Sequence, residues 1–160
     1  MGVAEVVKAE LESQFPGVLK TAQVLRPRTV RVRIDRKDLL AVCRHLKARG
    51  FEHCSCISAT DWVTRFESVY HITSWGRNAI VEIVAEIPHD DPRIDSVYGV
   101  WKGADYHERE AWDLVGIRYE GHPNLERILL PKDFKYHPLR KDFPQEVDRQ
   151  YISRRKLGGG

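Results

Sequence analysis

Between residues 53 and 87 the chain holds three successive stretches that read as strands, and no other feature restricts the fold as much. They run over roughly 53–60, 66–74 and 79–87. In the third, Val81, Ile83, Ala85 and Ile87 face one way while Glu82 and Glu86 face the other. The Trp75-Gly76-Arg77-Asn78 link before it is short enough for a hairpin. A largely antiparallel sheet is expected, with one face packed and the acidic face wet.

Two helices and at least one more strand precede this meander. Val3, Val6, Val7 and Leu11 fall at helical spacing before Pro16-Gly17 stops the pattern. Val30 to Ile34 alternates apolar and charged residues as a half-buried strand does. Asp35 is then placed to cap a helix carrying Leu39, Leu40, Val42, Cys43 and Leu46, with Gly50 as its stop. This order predicts an α+β fold, a two-layer domain in which helices cover one face of a mainly antiparallel sheet. At 160 residues the chain suits one such domain, over 1–120, followed by an extended arm over 121–160.

After Pro88 the spacing predicts a short helix from Arg93 to Val100, started by His89-Asp90-Asp91-Pro92. A further helix follows, with Asp105 and Glu108 as a capping pair and Gly116 as the end. This helix carries the stretch EREAWDLVGI, residues 108–117. Glu108 and Glu110 are two apart, about 200° around a helix, so they do not converge on one substrate atom as acid and base. Arg109 and Asp113 stand at i and i+4 and are expected to pair.

From Gly121 onward prolines at 123, 131, 138 and 144 favour extended backbone. Ile128, Leu129, Leu130, Phe134, Leu139 and Phe143 are too many apolar residues for a solvated linker and have no continuous period. The arm is expected to be ordered by lying along another surface. Residues 127–160 hold nine Lys and Arg against four Asp and Glu, whereas 1–126 hold 17 against 19. A basic tail with Phe134, Tyr136, Phe143 and Tyr151 also suits an RNA-binding module, though the prolines and the acids in it favour docking on protein.

Little else in the sequence announces chemistry. His107, His122 and His137, with Asp113 or Asp133, lack the spacing that places two metal ligands on one helix face, and both His122 and His137 precede proline, as turn histidines do. Cys43, Cys54 and Cys56 are expected as free thiols, with Cys54 and Cys56 on one strand face. No glycine-rich phosphate loop is present, and no run approaches the ~18–20 apolar residues of a membrane span. The acidic helical N-terminus is unlike a secretory signal, so a cytoplasmic chain is expected. No catalytic, cofactor-binding or metal-binding residue is assigned.

The run from Ala104 to Pro144, ADYHEREAWDLVGIRYEGHPNLERILLPKDFKYHPLRKDFP, resembles the hallmark segment of the 30 kDa (C) subunit family of respiratory complex I. That family includes the equivalent subunits of archaeal deazaflavin-dependent dehydrogenases and energy-converting hydrogenases. This chain departs from the usual pattern at Val115, Phe134 and Tyr136. The resemblance implies a non-catalytic scaffold subunit with no cofactor of its own, in the peripheral arm on the cytoplasmic side of an energy-converting membrane. Its partners would be the quinone-cavity (D-type) subunit and the subunits that hold iron–sulfur clusters, with the membrane arm indirect and no nucleic acid. The complex would pass electrons from NADH, reduced deazaflavin or ferredoxin to quinone, coupled to ion translocation. A membrane-bound energy-converting hydrogenase is the alternative. On this reading Arg109, Arg127, Arg140 and Lys141 form structural or interfacial ion pairs, and Trp112, Leu129, Leu130 and Phe143 are apolar anchors.

Overall fold

The computed structural model describes residues 2–144 and 146, so Tyr151 and the terminal glycines of the expected arm lie outside the described residues. The elements are α1 (Val3–Gln14), β1 (Thr21–Arg26), β2 (Thr29–Asp35), a 3-10 turn (Arg36–Asp38), α2 (Leu39–Ala48), β3 (His53–Asp61), β4 (Arg65–Ser74), β5 (Ala79–Pro88), β6 (Arg93–Asp95), α3 (Ala104–Val115) and β7 (Arg118–Glu120). The main sheet has the order β1-β2-β5-β4-β3, and within it only β2 and β5 run parallel. After β2 the chain crosses through α2 to the far edge and returns as the expected β3-β4-β5 meander. The fold is α+β with a mainly antiparallel sheet.

Burial follows the two periods. Val30, Val32 and Ile34 of β2, Val81, Ile83, Ala85 and Ile87 of β5, and Phe66, Tyr70 and Ile72 of β4 form one core with Ala4, Val7 and Leu11 of α1 and Leu39, Val42, Cys43 and Leu46 of α2. Val6 has the right spacing for this face of α1 but is exposed. Neither Asp35 nor Asp38 makes a side-chain cap; Asp35 is drawn instead to Lys20, 2.6 Å away. The 3-10 turn between β2 and α2 removes the geometry that a direct Asp35 cap requires.

The second sheet face is less wet than its acidic positions predict. Glu67 and Glu86 are directly opposed across β4 and β5, an unfavourable like-charge pair, and Arg33 of β2 reaches both, at 2.8 and 3.3 Å. Arg31 holds Glu82 at 2.6 Å, and Lys20 holds Glu86 at 2.6 Å. Beneath this lattice Val84, on the outer side of the central strand, is buried. The ion pairs, with the long aliphatic stems of their basic members, close a face that no helix among the described residues covers.

Two other expectations are corrected. The register of β3 against β4 shifts between Cys54 and Cys56, so Cys54 pairs with buried Ile72 while Cys56 pairs with His71 on the opposite face. A β-bulge thus separates two thiols that strict alternation would align. Residues 93–100 form no helix: Arg93–Asp95 is β6, paired parallel with β7. Ile94, Val97 and Trp101 are buried at three- and four-residue spacings that imitate a helix, but an extended segment and a turn deliver them inward. Asp91 starts no helix either; its carboxylate is held by Arg36 and Arg93, each at 2.6 Å.

Candidate functional site

Among the described residues the segment after β7 contains no further strand, yet residues 125–144 are tied to the body at two buried aspartates. The first is Asp113, on the inner side of α3 and fully shielded. Its Oδ2 accepts the backbone N–H groups of Ile128, Leu129 and Leu130 at 3.1, 2.9 and 3.0 Å, while Arg127 donates to Oδ1 at 2.5 Å. Three successive amides and a guanidinium make an anion nest closed around one carboxylate. Burial by itself would raise the Asp113 pKa, but the N–H groups of Leu130 and Leu129 and the Arg127 hydrogen bond outweigh it and hold the carboxyl below its ordinary value. Arg109, expected to pair with Asp113, instead donates to the Glu126 carbonyl and faces Asp105 at 3.9 Å.

The arm also completes the C-terminus of α3, where a helix leaves its last carbonyls without partners. Gly116, at φ 85, turns its N–H back to the Trp112 carbonyl. The Asp113 carbonyl accepts from His137 Nδ1 at 3.0 Å and from Arg127 at 3.2 Å. The Leu114 carbonyl accepts the N–H of Leu139 at 2.9 Å. Because a carbonyl only accepts, His137 carries its proton on Nδ1 here. Its ring lies 2.6 Å from where a side chain on Gly116 would begin, so this position needs glycine for space as well as for its left-handed backbone.

The second mooring is Asp61, at the end of β3. Its Oδ2 accepts the N–H of Lys141 at 2.9 Å, and its Oδ1 accepts that of Val63 at 2.7 Å. Val63 is held at φ 70, a rare conformation for a β-branched residue, and it and Trp62 are exposed beside this mooring. Arg140 lies over the Phe66 ring at 5.1 Å and pairs with Asp142 at 2.9 Å.

These contacts sort the eight residues proposed as interfacial. Arg127 is spent on Asp113 and stacks over Trp112 at 5.5 Å, and Trp112 also meets the edge of His137. Leu130 is half-buried, and Phe143 gathers with Phe134 and Tyr136 in an aromatic cluster. Arg109 and Arg140 are engaged within the chain as described. Leu129 presents its side chain outward at 59% exposure, and Lys141, held through its backbone, is exposed as well. Leu139 at 58% and Tyr136 at 43% add to this outer surface. Sequence reasoning missed Asp61, Gly116 and His137 as mooring residues; the signal within reach was that Asp61 falls at an inward-facing position of its strand.

A sequence model of the family described as the respiratory-chain NADH dehydrogenase 30 kDa subunit matches residues 32–149, a span containing both moorings. The chain belongs to this family. Among its relatives, the NADH-quinone oxidoreductase C subunit of Saccharopolyspora erythraea is 42% identical over 118 residues, covering 69% of this chain and 47% of the relative. The F(420)H(2) dehydrogenase C subunit of Methanosarcina mazei is 33% identical over 156 residues, covering 93% of this chain and 99% of the relative. This member of the family therefore spans about half the length of the first relative and nearly all of the second.

The solved structures agree with the fold. The trypsin-resistant fragment (1–134) of Nqo5 superposes with a TM-score of 0.67 at 30% identity, covering 77% of this chain and 99% of that one. A chain of the membrane-bound sulfane sulfur reductase, an archaeal respiratory membrane complex, superposes with a TM-score of 0.79 at 26% identity, covering 92% and 90%. The family fold, its α3 and the start of its arm form the frame on which a functional reading rests.

Proposed function

We propose that this chain is a cofactor-free scaffold subunit in the peripheral arm of a complex I-type oxidoreductase and that its arm is a docking element. The observation that carries the reading is the double mooring. Asp113 and Asp61 fix the backbone of residues 128–141, and with it they present Leu129, Tyr136 and Leu139 outward from an anchored frame. Apolar side chains held in place lose little further freedom on association, which favours a tight interface. The partners proposed are the quinone-cavity (D-type) subunit and the iron–sulfur subunits, which would hold the clusters. The scaffold would keep those carriers at fixed separation while electrons pass to quinone with coupled ion translocation.

The match to the Methanosarcina mazei F(420)H(2) dehydrogenase subunit supports the deazaflavin-linked version of such a complex. Likeness to a chain of a membrane-bound respiratory complex supports peripheral attachment at a membrane; the cytoplasmic side is part of the proposal. Among the described residues no helix is long and apolar enough to cross a membrane.

The test is affinity capture of a tagged copy from its native membranes. The unmodified chain should bring down cluster-bearing subunits, and the outward double variant Leu129→Asp, Leu139→Asp should lose them while keeping its circular dichroism. Equal recovery by both proteins would refute the arm as a docking element.

A further inference from the structure

Behind α3, away from the moorings, lies a buried group of polar residues that the docking reading does not use. Glu108 is fully shielded and accepts from Ser96 Oγ at 2.5 Å through Oε2 and from the Val97 N–H at 2.7 Å through Oε1. It is not the capping partner that its spacing from Asp105 suggests. His122 lies beside it, with Nε2 at 3.9 Å from Glu108 Oε2 and 3.3 Å from Asp105 Oδ1. His122 Nε2 and Asp105 Oδ1 are buried without another hydrogen-bond partner.

The proton positions follow from the donors. The N–H of Asn124 points at His122 Nδ1, 3.1 Å away, so Nδ1 accepts and the imidazole proton sits on Nε2, facing the two carboxyls. Among the described residues, the other titratable groups around Glu108 besides His122 are Cys43 of α2, Cys54 of β3, Tyr70 of β4, Tyr119 of β7 and Asp105 of α3, none of them a cation. Arg109 faces Asp105 at 3.9 Å, and Lys102 lies over the Tyr98 ring that packs on His122. A buried carboxylate with no cation of its own is costly, and taking up a proton removes the cost.

A route to water exists. Ser96 also lines a cavity of about 750 Å³ between α2 and the β6–β7 pair, with Arg44, Lys47, Asp95 and Glu120 on its walls. Ser96 Oγ accepts the Tyr98 N–H at 3.1 Å and keeps a second lone pair. With Glu108 ionised, the serine hydroxyl donates to Oε2. With Glu108 protonated, the Oε2 proton donates to Ser96 Oγ and the serine hydrogen turns towards the cavity.

We propose that Glu108, Ser96, His122 and Asp105 form a buried proton-binding site, in which Glu108 takes up one proton from the cavity through Ser96 and its occupancy is coupled to the His122–Asn124 turn. Loss of that proton leaves an ionised Glu108 that draws the His122 Nε2–H, 3.9 Å away, and so shifts the ring on which the Asn124 N–H rests. That turn leads the chain towards Arg127 and the first mooring. The site therefore links proton uptake to how firmly the arm begins, and it stands independently of the docking reading.

The test is nuclear magnetic resonance of the full chain, carboxyl-labelled at glutamate and nitrogen-labelled at histidine, between pH 5 and 9. The Glu108 carboxyl resonance should titrate apart from the exposed glutamates and near neutrality, and the neutral His122 ring should carry its proton on Nε2. The exchange protection of the Asn124 amide, corrected for its intrinsic pH dependence, should fall severalfold through the same titration, and Glu108→Gln should abolish that step. Titration of Glu108 together with the exposed glutamates, or a His122 proton on Nδ1 alone, would overturn the proposal. So would Asn124 protection that ignores the Glu108 titration, and these readings on the unmodified chain stand even if the variant folds poorly.

Discussion

Arg127 closes the open side of Asp113, donating to Oδ1 at 2.5 Å while three successive amides of its own strand of chain occupy Oδ2. The residue that opens the arm therefore neutralises the carboxylate that holds it. Helix end and arm are one unit, because the same segment also supplies partners for the last carbonyls of α3.

Asp113→Ala should destabilise the chain by about 3–5 kcal/mol, since it strands a half-buried guanidinium and three amides together. Asp113→Asn keeps an acceptor but not the charge and should cost less. Urea unfolding of the two variants measures the difference, and trypsin should cut earlier at Lys132 and Lys135 in the alanine variant than in the unmodified chain. Equal cleavage would mean that the carboxylate does not hold the arm.

The second mooring is lighter. Asp61→Ala removes acceptors for two amides, those of Lys141 and Val63, and should cost about 1–3 kcal/mol. Its cleavage by trypsin should rise at Arg140 and Lys141 before it rises at Lys132. Amide exchange at Lys141 reports the same loss directly.

Stability should depend on pH in two separate windows. Burial lifts Glu108 from 4.5 to about 7, against the Ser96 and Val97 hydrogen bonds that lower it and with Asp105 adding to the rise. The folded state then binds more protons than the unfolded chain between these values, so stability falls as pH rises from about 4.5 through about 7, by on the order of 3 kcal/mol. Asp113 acts oppositely: its folded value is lowered, so its contribution is present above the ordinary 3.8 and is lost as pH falls through the lowered value. Unfolding free energies at pH 5, 6, 7 and 8 should show the first trend, and Glu108→Gln should flatten it. An unchanged slope in the variant would assign the trend to other groups.

Gly116→Ala and Gly50→Ala compare one backbone conformation in two surroundings. Both glycines have left-handed φ, 85 and 83, but a side chain at Gly50 meets nothing within 4 Å, whereas at Gly116 it meets the His137 ring. The Gly50 variant should lose about 1–2 kcal/mol from backbone strain alone. The Gly116 variant should lose more and should shift the His137 ring resonances. Equal losses would mean that the ring moves aside without cost.

The meander, α1, β2 and α2 could be read from the chain because each obeys a local period that burial preserved. Val81, Ile83, Ala85 and Ile87 all face the core, and Gly50 and Gly116 both end helices in the left-handed conformation. Reading failed where a contact distant in sequence overrode the local pattern. Residues 93–95 pair with 118–120 across the whole of α3, and neither segment alone signals a strand. Arg109 and Asp113 have the right helical spacing to pair, but Arg127, 14 residues beyond Asp113, brings three amides with it and wins the carboxylate. Glu108 has the spacing of a capping residue, yet Ser96 and Val97 take it into the interior.

By itself the sequence determined the fold class, the alternation that fills the core, the absence of a convergent acid pair at 108 and 110, and the pattern from Ala104 to Pro144 that marks the family. Periodicity and spacing are local properties, and they survive in any tertiary setting that buries the apolar side. Only the tertiary structure decided what the buried charges do. A carboxylate takes whichever donors folding brings within about 3 Å of it. For Asp113 these are three amides and a guanidinium of the arm, for Asp61 an amide of the arm and the nearby Val63 amide, and for Glu108 a serine and an amide from the turn after β6.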